Sequence, residues 1–218
     1  QPSPAAETPE NAAPDKPQPG HFVDTVAAPT STPGGGSVSA LVGSLAAALA
    51  QMAAGLTVGR KRYIEVNEMA MDLLTQAEAI RHELTAAIEE DAASFEGILT
   101  VVRNKGLGEE EKAAALEAAT VHAGEVPLRI ARLSRDAGRI AQTIAAIGNV
   151  NTATDAAVGA IMARAAVYGA GLNVKVNGVG LKNRELAAAW SAEVDTLVDE
   201  VEELARAAIA VAKERGGL

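Results

Sequence analysis

Ala119–Asn149, ATVHAGEVPLRIARLSRDAGRIAQTIAAIGN, is the stretch that decides the fold. Its apolar positions are Ala119, Ala123, Val126, Ile130, Leu133, Ala137, Ile140, Ile144 and Ile147, spaced alternately by four and three. That repeat is the seam of a helix packed along its whole length against other helices. Gly148 and Asn149 then read as a helix stop.

The flanking segments carry weaker versions of the same pattern. Downstream, a helix opens at Thr152 and holds Val158, Ile161, Ala165, Tyr168 and Leu172 before Gly178 and Gly180 break it. Another follows from about Asn183 with Leu186, Trp190, Val194, Leu197, Val201, Leu204, Ala208 and Val211. Upstream, Val38, Val42, Leu45, Leu49, Met52 and Leu56 give a seam, and a helix from about Ile64 to Asn104 carries Ala77, Leu84, Ile88, Phe95, Ile98 and Val102. It stops in the turn of Gly106 and Gly108, and the helix of the opening stretch begins near Glu109. No strand-like alternation competes. Short connections make neighbours antiparallel, so the expected fold is all-α, an up-and-down bundle of about five long helices.

Composition narrows the rest. Hydrophobic residues form 48% of the 218 but aromatics only 2%, so the core must come from closely packed Ala, Leu, Val and Ile. With no Cys, disulfides and thiolate metal sites are excluded, which fits a reducing compartment. His21, His82 and His122 have no ligand spacing, so no metal is expected. A net charge of -9 speaks against a nucleic-acid partner, which demands a cationic footprint. The uncharged run between Asp24 and Arg60 imitates a membrane span, but its Ala, Gly and Ser content with Gln51 inside fits a buried helix better, so no membrane partner is expected. No basic region followed by an apolar stretch reads as a signal peptide, leaving cytoplasm as the expected location. Six of nine prolines fall in the first 20 residues, so Gln1–Gly20 is expected to be a disordered tail and 21–218 a single helical domain.

Counting rise along the bundle sorts the polar residues into two ends. A first helix from Ser37 to Tyr63 climbs about 40 Å, and the second descends the same distance by about Asp91. One end collects Arg60, Lys61, Tyr63, Asn149 and Asp155; the other collects Gly34, Gly35, Gly36, Ser37, Asp91, Glu125, Asn173 and Asn177. Ala92–His122 should project beyond the second end as a helical hairpin.

Several of these groups have two readings. Asp91 lies seven residues from both Leu84 and Ile98, a seam position where an unpaired carboxylate is costly; alternatively it joins Glu89 and Glu90 on a solvated face. Asp155 follows Thr152 by three, which matches a capping box. The Pro-Gly-Gly-Gly-Ser approach to the first helix offers free amides for an anion or carbonyl oxygen, or is simple punctuation. Asn173 and Asn177 share a helix face and offer paired amide donors and acceptors. Arg60, Lys61 and Arg62 are the densest basic cluster in an acidic chain, either a solvated helix end or a seat for an anionic tail.

Taken together, the segments resemble the cyclodeaminase/cyclohydrolase family, found as the C-terminal domain of formiminotransferase-cyclodeaminase and as free-standing methenyltetrahydrofolate cyclohydrolases. The matching pieces are PGGGSV (33–38), LTVGRKRY (56–63), DAASF (91–95), VPL (126–128), Gly148-Asn149 followed by Thr154-Asp155, and LNVKVN (172–177). Thr154 stands where relatives usually show Ser, which keeps a hydroxyl. The resemblance implies a homodimer and a folate substrate, with no cofactor beyond tetrahydrofolate itself. It also implies one of two reactions: hydrolysis of 5,10-methenyltetrahydrofolate to 10-formyltetrahydrofolate, or release of ammonia from 5-formiminotetrahydrofolate. The 218 residues leave no room for a transferase domain, so hydrolysis is the expectation; a non-catalytic helical adaptor is the rival from another class. In that reading Asp91, then Asp155, is the catalytic acid/base. Gly34, Gly35, Gly36, Ser37, Asn149, Asn173 and Asn177 orient the substrate, and Arg60, Lys61 and Tyr63 hold its tail.

Overall fold

The computed structural model describes residues 19–217, most of which lie in five long helices and one short one. They are α1 (Pro19–Ala27), α2 (Gly35–Gly55), α3 (Asn67–Arg103), α4 (Glu109–Ile147), α5 (Ala153–Gly180) and α6 (Arg184–Gly216). Two 3-10 turns, Lys61–Val66 and Val150–Thr152, sit in the connections before α3 and α5. No strand occurs among the described residues.

The chain divides into two compact units between Ser31 and Thr32. Of the expected tail, Gln1–Gln18 lies outside the described residues, but Pro19 and Gly20 belong to α1. Proline suits this first helical position, where its missing N–H costs no hydrogen bond. From Thr32 onward the unit is the helical bundle. Every consecutive pair of long helices packs together, and α2 also lies against α4 and α5. Pro127 falls inside α4 and is buried without interrupting it.

Each helix end has a local cause. Asn183 caps α6 by accepting from the Leu186 amide at 3.0 Å, and Gly217 closes it in the left-handed conformation, φ 67°. Glu117 on α4 accepts the Lys182 and Asn183 amides, each at 3.0 to 3.1 Å, tying the α5–α6 turn to α4. Arg215 donates to the carbonyls of Ala145 and Gly148, satisfying the end of α4 that no helical amide reaches.

The seam of α4 is where the sequence puts it. Ala123, Val126, Ile130, Ala137, Ile140 and Ile144 are buried, and Ala119, Leu133 and Ile147 half-buried. The seams expected for the first and fourth helices are reversed. On α2 the buried face is Gly36, Ser37, Ala40, Gly43, Ala47, Ala50 and Ala54 with their neighbours, while Leu45, Met52 and Leu56 are exposed. On α5 Val158, Ile161, Tyr168 and Leu172 are likewise outside, and Ala156, Ala160, Ala163, Ala166 and Ala170 face in. These two central helices are squeezed from several sides, so small residues go inward where backbones approach. At Gly159 a Cβ would lie 3.1 Å from the Ala46 carbonyl oxygen. By length and composition α2 and Val150–Gly180 would each pass for a membrane span, yet half of each is buried inside the bundle.

Candidate functional site

At one end of the bundle α2 begins against α3. Gly34 precedes the helix with no side-chain cap, so the first amides of α2 need another acceptor. Asp91 supplies it from α3: the Ser37 hydroxyl donates to Asp91 Oδ2 at 3.0 Å, and the Ser37 backbone amide assists. Gly36 is required here, because any Cβ would overlap the Asp91 carboxylate. Asp91 is half-buried and bonded to Ser37 of α2, which puts it on the seam; Glu89 is exposed, and Glu90, also half-buried, pairs with Arg129 on α4. Burial pushes the Asp91 carboxyl above the ordinary range, and the two Ser37 hydrogen bonds only partly oppose it.

Asn173 and Asn177 reach the same end from α5. The Asn173 amide group packs against Gly35, 3.2 Å from where a Cβ would stand. Its Nδ2 donates to the Gly169 carbonyl at 2.8 Å, and Asn177 Nδ2 donates to the carbonyls of Ala123 and Asn173 at 2.8 and 3.0 Å. The paired donors expected from the sequence are thus largely spent on backbone. What the two side chains leave available is a pair of carbonyl oxygens, acceptors for N–H donors, and one N–H of Asn173. Glu125 is at this level but lines a separate cleft of about 210 Å³ between α3 and α4, with Glu90, His122, Val126 and Arg129.

The opposite end is built by the two connections. Thr57, fully buried, donates to the Ala53 carbonyl and accepts the Asn149 amide at 2.9 Å. Asn149 donates to the Leu56 carbonyl and accepts the Asn151 amide, while Tyr63 OH accepts the Val150 amide at 3.0 Å. Asn149 and Tyr63 therefore hold the loops together. Arg60, Lys61 and Arg62 are exposed and make no ion pair with any described residue; Arg62 lies over the Tyr63 ring, 5.9 Å from its centre. They line an open cavity of about 400 Å³ with Tyr63, Asn149, Val150 and Asn151.

The expected capping box is absent. Thr152 hydroxyl donates back to the Asn149 carbonyl, and Asp155, half-exposed in the first turn of α5, has no hydrogen-bond partner among the described residues. It also lies outside the cavity lining. Because α2 ends at Gly55 and the chain turns, the two ends are separated by about 30 Å of helix rather than 40 Å. Asp91 and Asp155 cannot attack one carbon within a single subunit.

Comparison with known proteins fits this geometry. Residues 19–196 match the family model described as formiminotransferase-cyclodeaminase. The chain belongs to the formiminotransferase-cyclodeaminase family. Among its relatives, a methenyltetrahydrofolate cyclohydrolase of Methylorubrum extorquens is 35% identical over 182 residues, covering 82% of this chain and 88% of that protein. A mouse formimidoyltransferase-cyclodeaminase is 32% identical over 159 residues, 72% of this chain but 29% of the mouse protein. A formiminotetrahydrofolate cyclodeaminase from Thermotoga maritima has the same fold, with TM-score 0.82 at 24% identity over 91% of this chain and 97% of that one.

In this member of the formiminotransferase-cyclodeaminase family, sequence reasoning overlooked Thr57 and Arg215. Thr57 stands inside the LTVGRKRY piece, and its place two residues past the α2 helix was the available signal. Arg215 meets Gly148 across 67 residues, and nothing local announces that contact.

Proposed function

We propose that the protein is an enzyme that hydrolyses 5,10-methenyltetrahydrofolate to 10-formyltetrahydrofolate, acting as a soluble cytoplasmic homodimer with no cofactor beyond the tetrahydrofolate substrate. The observation that carries the reaction is Asp91: a half-buried carboxyl, held at the N-terminus of α2, with its proton affinity raised. A carboxyl tuned upward is suited to taking a proton and returning it. The cyclohydrolase relative, aligned over most of both chains, supports the choice of substrate.

The methenyl carbon lies between N5 and N10, which share one positive charge. Asp91 as carboxylate stabilises that cation and takes a proton from water as its oxygen bonds to the carbon. Collapse of the adduct breaks the bond to N5, which receives the proton from Asp91; the remaining hydroxyl proton goes to solvent as the formyl C=O forms on N10. The Asn173 and Asn177 oxygens accept N–H groups of the pterin, and the α2 amides at Gly35 and Gly36 face the developing oxygen. Asp155 is the alternative acid, at the opposite end of the bundle, where Arg60 and Lys61 bind tail carboxylates. The homodimer reading rests on the apolar outer faces of α2 and α5, since a contiguous exposed patch of this kind marks an interaction surface.

Cyclodeaminase activity is the second reading, supported by the family's formimidoyltransferase-cyclodeaminase members. One preparation assayed with both folates separates the two. Loss of the near-ultraviolet methenyl absorbance faster than in buffer is expected; ammonia from 5-formiminotetrahydrofolate instead selects cyclodeaminase, and a flat trace in both favours the adaptor. Asp91→Asn is expected to lower methenyltetrahydrofolate turnover by about 100-fold or more. Full turnover by that variant would remove Asp91 from the reaction.

A further inference from the structure

Three serine hydroxyls are buried where α2 begins against α3: Ser37, Ser39 and Ser94. Ser39 Oγ donates to the Gly35 carbonyl at 2.7 Å and Ser94 Oγ to the Asp91 carbonyl at 2.8 Å, each within its own helix. Those two protons are spent on backbone. The Ser37 proton, alone of the three, goes to a side chain, Asp91 Oδ2, across the contact between the helices. Ser37 is also 0% exposed, so its hydroxyl has no surface to offer a substrate. The orienting role expected for it from the sequence is replaced by another.

Resting on the reading of Asp91 as the acid/base, we infer that Ser37 is a positioning residue that acts through Asp91. It holds Oδ2, so that Oδ1 is the oxygen that takes the proton from water and returns it to N5.

The surroundings leave the carboxyl one seat. It lies against the bare backbone of Gly36, where any Cβ would overlap it, and both the amide and the hydroxyl of Ser37 donate to it. A carboxyl turns readily about its bond to Cβ, because that torsion is broad and roughly two-fold. Such a turn between the two proton transfers would exchange the oxygens and carry the proton towards Ser37, away from N5. A hydrogen bond to a charged oxygen is among the stronger kinds and opposes the turn. Because Oδ2 accepts from Ser37 whether or not Oδ1 is protonated, nothing needs to rearrange between the steps.

The same bond sets when the base is charged. Burial raises the Asp91 carboxyl, and the Ser37 hydroxyl pulls it back down. Without the hydroxyl, burial is less opposed, the proton is held more tightly, and the carboxylate forms only at higher pH.

The test is full-length Ser37→Ala, which removes the hydroxyl and keeps the backbone amide. With 5,10-methenyltetrahydrofolate, kcat at pH 7 is expected to fall about 10- to 100-fold while KM changes little. The acid limb of the kcat/KM profile is expected to move to higher pH. Independently of turnover, the Asp91 carboxyl is titrated by NMR in protein carrying carboxyl-labelled aspartate, its signal assigned by its loss in Asp91→Asn. The midpoint is expected to be higher in Ser37→Ala than in wild type. Ser37→Cys, which keeps a weaker donor at the same place, is expected to lie between them in both kcat and midpoint. An unchanged midpoint overturns the positioning role, as does a raised KM with unchanged kcat, the mark of a group that binds substrate. Wild-type protein inert towards both folates overturns the reaction on which the inference rests, a failure told apart from that of Ser37 because the midpoint still shifts.

Discussion

Two parts of this bundle carry the same apolar period and use it in opposite directions. The α4 repeat buries its large residues: Ile130 is 0% exposed and Ile144 1%. The α2 and α5 repeats turn theirs outward, leaving Leu45 at 44% and Leu172 at 70%, and pack glycine, alanine and serine inside. A period therefore reports which side of a helix is greasy; which side faces its own subunit depends on how closely the neighbouring backbones come. On α2 and α5 they come too close for leucine. The large residues are left on the outer face.

The same substitution placed in both regions breaks or sharpens this contrast most strongly. Ile130→Asp sets an unpaired charge among fully buried neighbours, a cost of several kcal/mol, enough to remove most of a stability of about 5–15 kcal/mol. No folded protein is expected by circular dichroism. Leu172→Asp is expected to leave the helical signal and the subunit fold intact but to convert the dimer to monomer in sedimentation. A Leu172→Asp protein that fails to fold would mean that the outer face of α5 belongs to the subunit core after all.

The sequence made the helices legible because the number of apolar positions was large and the breakers Gly106, Gly108, Gly148 and Gly180 stood at the ends. Asp91 was only half legible: the heptad frame of Leu84 and Ile98 offered the seam, a solvated face beside Glu89 and Glu90 stayed open, and the fold decides by setting it against Ser37. The reversal on α2 was hidden, since both of its faces are free of charge and only size separates them. The loop-tying hydrogen bonds of Asn149 and Tyr63 to Leu56, Asn151 and Val150 were hidden, because they cross connections that pattern reading cannot fold. Asp155 matched a cap by spacing alone, and the Thr152 hydroxyl chose the Asn149 carbonyl instead.

An intermediate effect tests the small-residue face directly. A Cβ on Gly43 would overlap Ser134 Oγ, which is buried with no hydrogen-bond partner among the described residues, and would press on Leu84 at 3.2 Å. Gly43→Ala is expected to cost about 1–3 kcal/mol by overpacking, measured by urea unfolding. Ser134→Ala should cost little or stabilise, since its hydroxyl gains nothing there. Combined, the two should recover much of the Gly43→Ala loss. Plain additivity would show that closeness to Ser134 is not what keeps position 43 small.

The smallest effect concerns the protonation of Asp91. Burial raises the Asp91 carboxyl, so the folded state holds its proton more tightly than the unfolded chain does. That contribution to stability is full below the unfolded value of 3.8 and is lost as pH rises through the higher folded value. In its ionised form the group is a net burden on the fold. Asn at this position is neutral at every pH and keeps an oxygen to accept from Ser37. Asp91→Asn is therefore expected to melt at or about 2 °C above wild type at pH 7, with the gap closing towards pH 4, while its turnover is lost. If the variant instead melts well below wild type at pH 7, the charge on Asp91 stabilises the N-terminus of α2 more than burial penalises it, and the residue's first role is that of a helix cap.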